Sequence, residues 1–297
     1  MIVIQQRPSL ARRTTLGIGG TALAEVQFTD ALDCFALDDI VKKIGGTPFI
    51  IGAGSNILAD DGELPIVLIH PNIRTEPNIC YTDDGQALVT VGAGFLLQKL
   101  LYFCAENGLS GLEGLVGIPG NVGGAVAMNA GSYGTETCAR LHSIVLYHPD
   151  HGIWQVDASQ IRYSYRSFCP QDNLKNYLIL QAIFALTQKE SNGIKKDMSL
   201  NFVKKKSTQP VAARSAGCVF KNPPAESAGK LLDAAGLKGK QMGGMTFSRV
   251  HANFLVNEGG GSAQDAFALI NYAREAVRQQ FGIQLEMEVR VVSWQSR

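Results

Sequence analysis

Two periods run through the apolar positions of this chain. Short apolar or alternating runs mark strands at Ala24–Phe28, Pro48–Ile51, Leu64–Ile69, Leu88–Val91, Tyr177–Leu186 and Val250–Val256. Ser143–Tyr147 and Ile153–Val156 read as a hairpin around the turn Pro149-Asp-His-Gly152. A helical period appears over Phe95–Asn107, where Leu97, Leu100, Leu101 and Cys104 form a stripe that Gly108 ends. Ser227–Gly236 is a shorter helix. Ser262 and Asp265 have capping-box spacing and open a helix with the stripe Phe267, Ile270, Ala273, Val277 and Phe281, closed by Gly282. The last run, Ile283–Val291, alternates throughout. As one strand it puts Ile283, Leu285, Met287, Val289 and Val291 on one face, and Glu286, Glu288 and Arg290 on the other, neighbours about 7 Å apart. The polar segment Gln188–Asp197 breaks the pattern and is taken as a domain boundary; the lysines at 204–206 read as a solvated helix face.

Between the strands lie glycine clusters. From Gly108 to Gly123 a glycine stands at every third position, in GLSGLEGLVGIPGNVGGAVAMNAGSYG. Collagen shares that spacing but needs a long register rich in proline, and Pro119 stands alone here. A membrane span is opposed by Pro119, Asn121, Asn129 and Ser132. A tight structural loop remains possible. A wall of backbone N–H groups facing a phosphate-bearing cofactor explains better why apolar residues and glycines alternate for so long. A second candidate wall follows the strand at Pro48–Ile51, as Gly52-Ala-Gly-Ser-Asn-Ile57. It begins as the dinucleotide fingerprint G-x-G-x-x-G, but Ile57 holds the third glycine position, and Gly92-Ala-Gly94 fails likewise at Leu97. No G-x-x-x-x-G-K-[ST] or G-x-S-x-G occurs.

Composition narrows the class without naming a chemistry. The 297 residues allow two domains or more, and a net charge of +1 gives no nucleic-acid or membrane footprint. Six scattered cysteines with no C-x-x-C fit a reducing compartment. The first residues show no apolar signal core with a cleavage site, so a cytoplasmic protein is expected. His148 and His151 have ligand-like spacing but fit a surface turn, and no metal site is expected.

Taken together, the segments TTLGIGGTA, IGAGSNIL, GLEGLVGIPGNVGGAVAMNAGSYG, YSYRSF, SAGCVFKNP, SAGKLLDAAGLKG, HANFLVN and LEMEVR span nearly the whole chain. In content and order the chain resembles the UDP-N-acetylenolpyruvoylglucosamine reductases, flavoenzymes of peptidoglycan precursor synthesis. Only Cys169–Asn176 separates the YSYRSF segment from the next strand, which resembles the shorter type without an extra substrate loop. The resemblance implies a vanillyl-alcohol-oxidase-like, PCMH-type FAD-binding fold in two α/β subdomains (residues 1–72 and 73–190). A C-terminal α+β domain for the UDP-sugar substrate follows (198–297).

It further implies non-covalent FAD, its pyrophosphate between two walls. One is Gly52, Ala53, Gly54, Ser55, Asn56 and Ile57; the other is Gly117, Ile118, Pro119, Gly120, Asn121, Gly123, Gly124 and Ala125. In the family NADPH reduces the flavin, which passes hydride to UDP-N-acetylglucosamine-enolpyruvate before an acid protonates the adjacent carbon. Arg166 falls on the arginine that stabilises charge on the substrate carboxylate, Glu288 on a catalytic glutamate and Arg290 on a substrate-binding arginine. Tyr165, Lys206, Lys221, Asn222 and Asn253 match or adjoin substrate contacts. Cys218 stands where the family commonly has a serine as proton donor; a thiol, with an ordinary pKa of about 8.5, is still protonated at neutral pH. Asn121 replaces a frequent threonine or serine, and Met287 a frequent proline. A monomer is expected. Two other readings stay open: a flavin oxidase of the same fold, and a silent nucleotide-sugar-binding protein, which the cysteine keeps in view.

Overall fold

The computed structural model describes residues 1–172, 174–224 and 226–293. The chain forms two compact units. The first comprises Met1–Gln5, Glu25–Gly52 and Val67–Lys204, and the second Gln6–Ala24, Ala53–Ile66 and Lys205–Arg297. A four-stranded sheet orders Ile2–Gln6, Thr21–Phe28, Glu63–Pro71 and Thr47–Ile50.

The first unit is built on an antiparallel sheet in the order Gly152–Asp157, Leu141–His148, Leu178–Gln188, Ala87–Gly92 and Asn78–Tyr81. The short strand Leu109–Ser110 pairs with the far end of Leu178–Gln188. The predicted hairpin forms with Tyr147 opposite Ile153 and His148 opposite Gly152. Helix Leu97–Glu106 buries Leu97, Leu100, Leu101 and Cys104 as its stripe predicts. These side chains share one core with Val89, Val91, Ile144, Leu146 and Phe184.

Four antiparallel strands form the sheet of the second unit, in the order Ser215–Cys218, Phe254–Asn257, Met245–Phe247 and Gln241–Met242. Helices Ala228–Ala234 and Ala263–Phe281 pack with it, burying Leu231, Leu232, Phe267, Ile270 and Val277. The long helix starts and stops as its sequence says. Ser262 and Asp265 cap each other's backbone reciprocally, and Gly282 takes the left-handed C-cap conformation at φ 69°.

Three expectations are corrected. The polar segment at 188–197 does not interrupt regular structure: helix Ser191–Thr208 starts within it and includes the lysine run, where Lys204 and Lys206 are exposed but Lys205 is 2% exposed. Period reading missed this helix because it has no sustained apolar stripe. The strand expected over Val250–Val256 is confined to Phe254–Asn257, since Ser248 Oγ accepts the N–H groups of Val250 and His251 and holds a turn there. The last run is not one strand. Its alternation holds, because Ile283, Leu285, Met287, Val289 and Val291 all pack into the second core. Its hydrogen-bond partner changes, however. Residues 286–289 bond to Val219 and Lys221, and only Arg290–Val292 forms a strand, parallel to Ile57–Ala59.

Candidate active site

In the first unit the glycine stretch folds as a loop and a short helix, Val122–Ala127. Gly117 and Gly120 take φ 76° and 118°, where a side chain would strain the backbone. One residue missed by sequence reasoning pins the loop. Gln98, on helix Leu97–Glu106, accepts the Gly117 N–H at 2.9 Å and donates to the Ile118 carbonyl at 2.8 Å. Gly123 faces inward, where an added Cβ would lie 2.9 Å from the Ala93 Cβ, while the same position on Gly124 meets nothing within 4 Å. The N–H groups of Gly120, Asn121 and Gly124 have no protein partner among the described residues. Asn121 is buried in extended conformation, and Ala125 donates its N–H to the Asn121 carbonyl at 3.0 Å. An open glycine face beside unspent donors suits an anionic, phosphate-bearing group. Pro119 shapes the turn without offering a donor.

Arg166 sits in a two-residue hairpin turn, Tyr165-Arg166, between strands Arg162–Ser164 and Ser167–Cys169. It takes the left-handed conformation at φ 54°, unusual for a bulky residue, as the tight turn requires. Its guanidinium lies 5.0 Å from the Tyr165 ring centroid and donates to the Gly131 carbonyl at 3.3 Å. Asn129 holds this hairpin from below. Fully buried and at φ 38°, it donates to the Ser164 carbonyl at 2.9 Å and to Glu136 at 3.2 Å, and accepts the Cys138 N–H at 3.0 Å. Nothing in the local pattern singles Asn129 out, because its role depends on Ser164, far along the chain.

The second unit gathers most of the other candidates. In the loop Ala53–Ile57, Gly54 has φ 69°, and an added Cβ would lie 2.1 Å from the Arg13 carbonyl oxygen. Gly52 belongs to the first unit. Asn56 reaches the last segment twice: its Nδ2 donates to the Glu288 carbonyl at 3.1 Å, and its own carbonyl accepts the Arg290 N–H at 3.0 Å. Cys218 ends its strand opposite Phe254, just after a bulge where Gly217 has φ 82°. The Val219 carbonyl next to it accepts the Glu288 N–H at 2.7 Å. One hydrogen bond therefore ties the backbones beside the two candidate catalytic groups. Cys218 and Glu288 are each half-buried, and Arg290 is exposed.

The remaining candidates divide. Lys221 donates its N–H to the Glu286 carbonyl at 2.9 Å and ion-pairs with the Glu286 carboxylate. Asn222 Oδ1 accepts the Ala228 N–H at 3.0 Å, at the start of a helix. Asn253 is buried, with both ends of its amide bonded to the backbone of Phe220. Lys206 is exposed, in the helix Ser191–Thr208. Burial pushes the thiols of Cys34, Cys104 and Cys138 up to about 12, leaving them as packing groups. No group of three or more metal-ligating side chains gathers among the described residues, and no helix there is long and apolar enough to cross a membrane.

A family model described as "FAD binding domain" matches residues 36–149, the span that holds both the strand before Gly52 and the glycine stretch. With the mixed α/β folds and the glycine loops, this defines an FAD-dependent oxidoreductase with a further C-terminal domain. The model matching residues 209–292 is described as "UDP-N-acetylenolpyruvoylglucosamine reductase, C-terminal domain". The reductase of Nitratidesulfovibrio vulgaris is 50% identical over 99% of this chain and 100% of its own length. That of Oleidesulfovibrio alaskensis is 46% identical, covering 99% of each. The crystal structure of the Thermus caldophilus reductase matches with a TM-score of 0.81 and 31% identity, over 99% of this chain and 100% of that one. The chain belongs to the UDP-N-acetylenolpyruvoylglucosamine reductase family.

Proposed function

We propose that this chain reduces the enolpyruvyl ether of UDP-N-acetylglucosamine-enolpyruvate to UDP-N-acetylmuramate, in the cytoplasm and as a monomer, with NADPH as electron donor. Residues 1–72 and 73–190 serve the flavin, and 198–297 the sugar nucleotide. FAD, when bound, supplies the hydride relay between NADPH and substrate. The residues of Gly52–Ile57 and Gly117–Ala125 face its pyrophosphate, a reading supported by the open faces of Gly52 and Gly124 and by the N–H groups of Gly120, Asn121 and Gly124. No histidine or cysteine lies within either segment, in keeping with non-covalent attachment.

Arg166 stabilises the negative charge that builds on the substrate carboxylate, with its guanidinium aimed by Tyr165 and Gly131. Cys218 gives its thiol proton to the carbon beside that carboxylate. Glu288 supports the same step from across the Val219 hydrogen bond, and Arg290, Lys221, Tyr165 and Lys206 bind anionic or polar parts of the substrate. Asn222 orders the turn entering the helix at Ala228. The observation that carries this reading is the 2.7 Å bond from the Glu288 N–H to the Val219 carbonyl, which holds an acid and a carboxylate in one frame.

Half-reactions test it. The purified protein should be yellow and release all its flavin on acid precipitation. NADPH should bleach it without oxygen, and the enolpyruvyl substrate should restore the colour. Cys218→Ala should keep bleaching but lose restoration by at least about 100-fold, the scale of a lost general acid, while Cys218→Ser retains much of it. Restoration by oxygen alone favours the oxidase reading; absence of bleaching favours a silent binder.

A further inference from the structure

The strand carrying Cys218 loses its sheet neighbour one residue later. Cys218 pairs with Phe254, but the chain before Phe254 turns away, with the Phe254 N–H donating to the His251 carbonyl at 3.0 Å. The peptide groups of Val219 and Phe220 then need another partner, and Asn253 supplies it. Its backbone carbonyl accepts the Val219 N–H at 2.8 Å. Its Oδ1 accepts the Phe220 N–H at 2.9 Å, and its Nδ2 donates to the Phe220 carbonyl at 2.8 Å. A side-chain amide has the same donor and acceptor as a peptide, so this one stands in for a further rung of sheet.

The opposite edge of the same short stretch carries the other catalytic candidate. Val219 accepts the Glu288 N–H, and Lys221 donates to the Glu286 carbonyl at 2.9 Å. Cys218 is thus framed by Phe254 on one side, while Glu288 is framed through Val219; Asn253 fixes the two residues between them. At 2% exposure, with both amide ends on the backbone, Asn253 is poorly placed to bind a sugar nucleotide.

We propose that Asn253 is a positioning residue for proton transfer, which sets the aim of Cys218 and Glu288 and does not touch substrate. This rests on the roles given to those two residues above. Proton transfer demands hydrogen-bond distance, and a displacement of about 1 Å costs on the order of 100-fold in rate. Substrate affinity, carried by other side chains, should barely change.

The test uses the flavin-loaded enzyme with Asn253→Ala and Asn253→Asp. Flavin reoxidation is followed at saturating enolpyruvyl substrate, and substrate affinity is taken from the spectral shift of oxidised flavin. In parallel, iodoacetamide labelling of Cys218 is compared with Cys80 and Cys169 by peptide mass mapping. Asn253→Ala should slow reoxidation at least about 30-fold, with substrate affinity and NADPH reduction within about twofold of the parent. Cys218 labelling should change at least about fivefold, with Cys80 and Cys169 unaffected. A normal saturating rate with affinity weakened about tenfold would make Asn253 a substrate contact and overturn the proposal. Parent values for rate and labelling, with only a lower melting temperature, would reduce it to packing. If Cys34, Cys104 and Cys138 also label in Asn253→Ala, that variant is unfolded, and Asn253→Asp decides by the same criteria, since it keeps the acceptor for the Phe220 N–H. Should the parent's own reduced flavin ignore the enolpyruvyl substrate, the functional reading fails instead. The labelling result still decides whether Asn253 governs Cys218.

Discussion

Asn129→Asp is a nearly isosteric change that the structure predicts to be severe and pH-dependent. The new carboxyl would keep the acceptor for the Cys138 N–H but lose the donor to the Ser164 carbonyl at 2.9 Å and to Glu136 at 3.2 Å. Losing the hydrogen bond to this part-buried carbonyl costs about 0.5–1.5 kcal/mol. Two carboxylates about 4 Å apart repel by about 4 kcal/mol at an effective dielectric near 20. The folded protein avoids that sum by protonating the new group, whose O–H can again donate to Ser164. Protonation at pH 7 of a carboxyl with an unfolded pKa near 3.9 costs about 4 kcal/mol, which sets the ceiling. The sign follows. The folded pKa is raised above the unfolded value, so the folded state binds more protons, and the variant regains stability as pH falls. Urea unfolding followed by tryptophan fluorescence should show a loss near 4 kcal/mol at pH 7, shrinking by about 1.4 kcal/mol per pH unit toward pH 4, relative to the parent at each pH. A loss under about 1 kcal/mol at pH 7, or one flat between pH 5 and 8, would refute the buried Asn129 network as the anchor of the Arg166 hairpin.

Two further outcomes are expected. Glu288→Gln should leave NADPH reduction of the flavin nearly intact and slow reoxidation by substrate at least about 100-fold in stopped-flow, whereas an ordinary exposed glutamate would shift stability by under about 0.5 kcal/mol and leave the rate alone. At pH 8 the native protein should label at Cys80, Cys169 and Cys218 and spare Cys34, Cys104 and Cys138, whose burial pushes their thiols up to about 12; adding urea should expose all six.

Much of the fold was legible because its signals are local. The helix Ala263–Phe281 carries its stripe, its capping box and its closing glycine within its own residues, and all three hold. The hairpin at Leu141–Asp157 likewise announces itself by alternation on both sides of one turn. What failed depends on partners distant in sequence. Helix Ser191–Thr208 lacks an apolar stripe, so its period is silent, although Ile194 and Met198 reach the first core. The run Ile283–Val291 alternates correctly, yet alternation states only which side chains face the core. It does not state that the backbone partner switches from Val219 and Lys221 to the strand Ile57–Ala59.

The same limit explains how the site was read. Motif resemblance located Asn56, Cys218, Asn253, Glu288 and Arg290, but not how they are joined. Asn56 was expected at a cofactor and Asn253 at a substrate; the structure spends side-chain donors of both on backbone carbonyls beside catalytic candidates. An asparagine is suited to this because its amide can replace a peptide group wherever a strand runs out. Cys218 stands at such a place, one residue before the ladder ends, and Glu288 stands where the last segment is about to change partners. Reactive groups at the ends of strands, rather than within them, keep one side clear for a ligand but lose the ladder that would hold them. The amides of half-buried Asn56 and buried Asn253 restore that hold from the side. A serine or a cysteine at position 218 can be served by the same frame, because none of the three bonds from Asn253 involves that side chain.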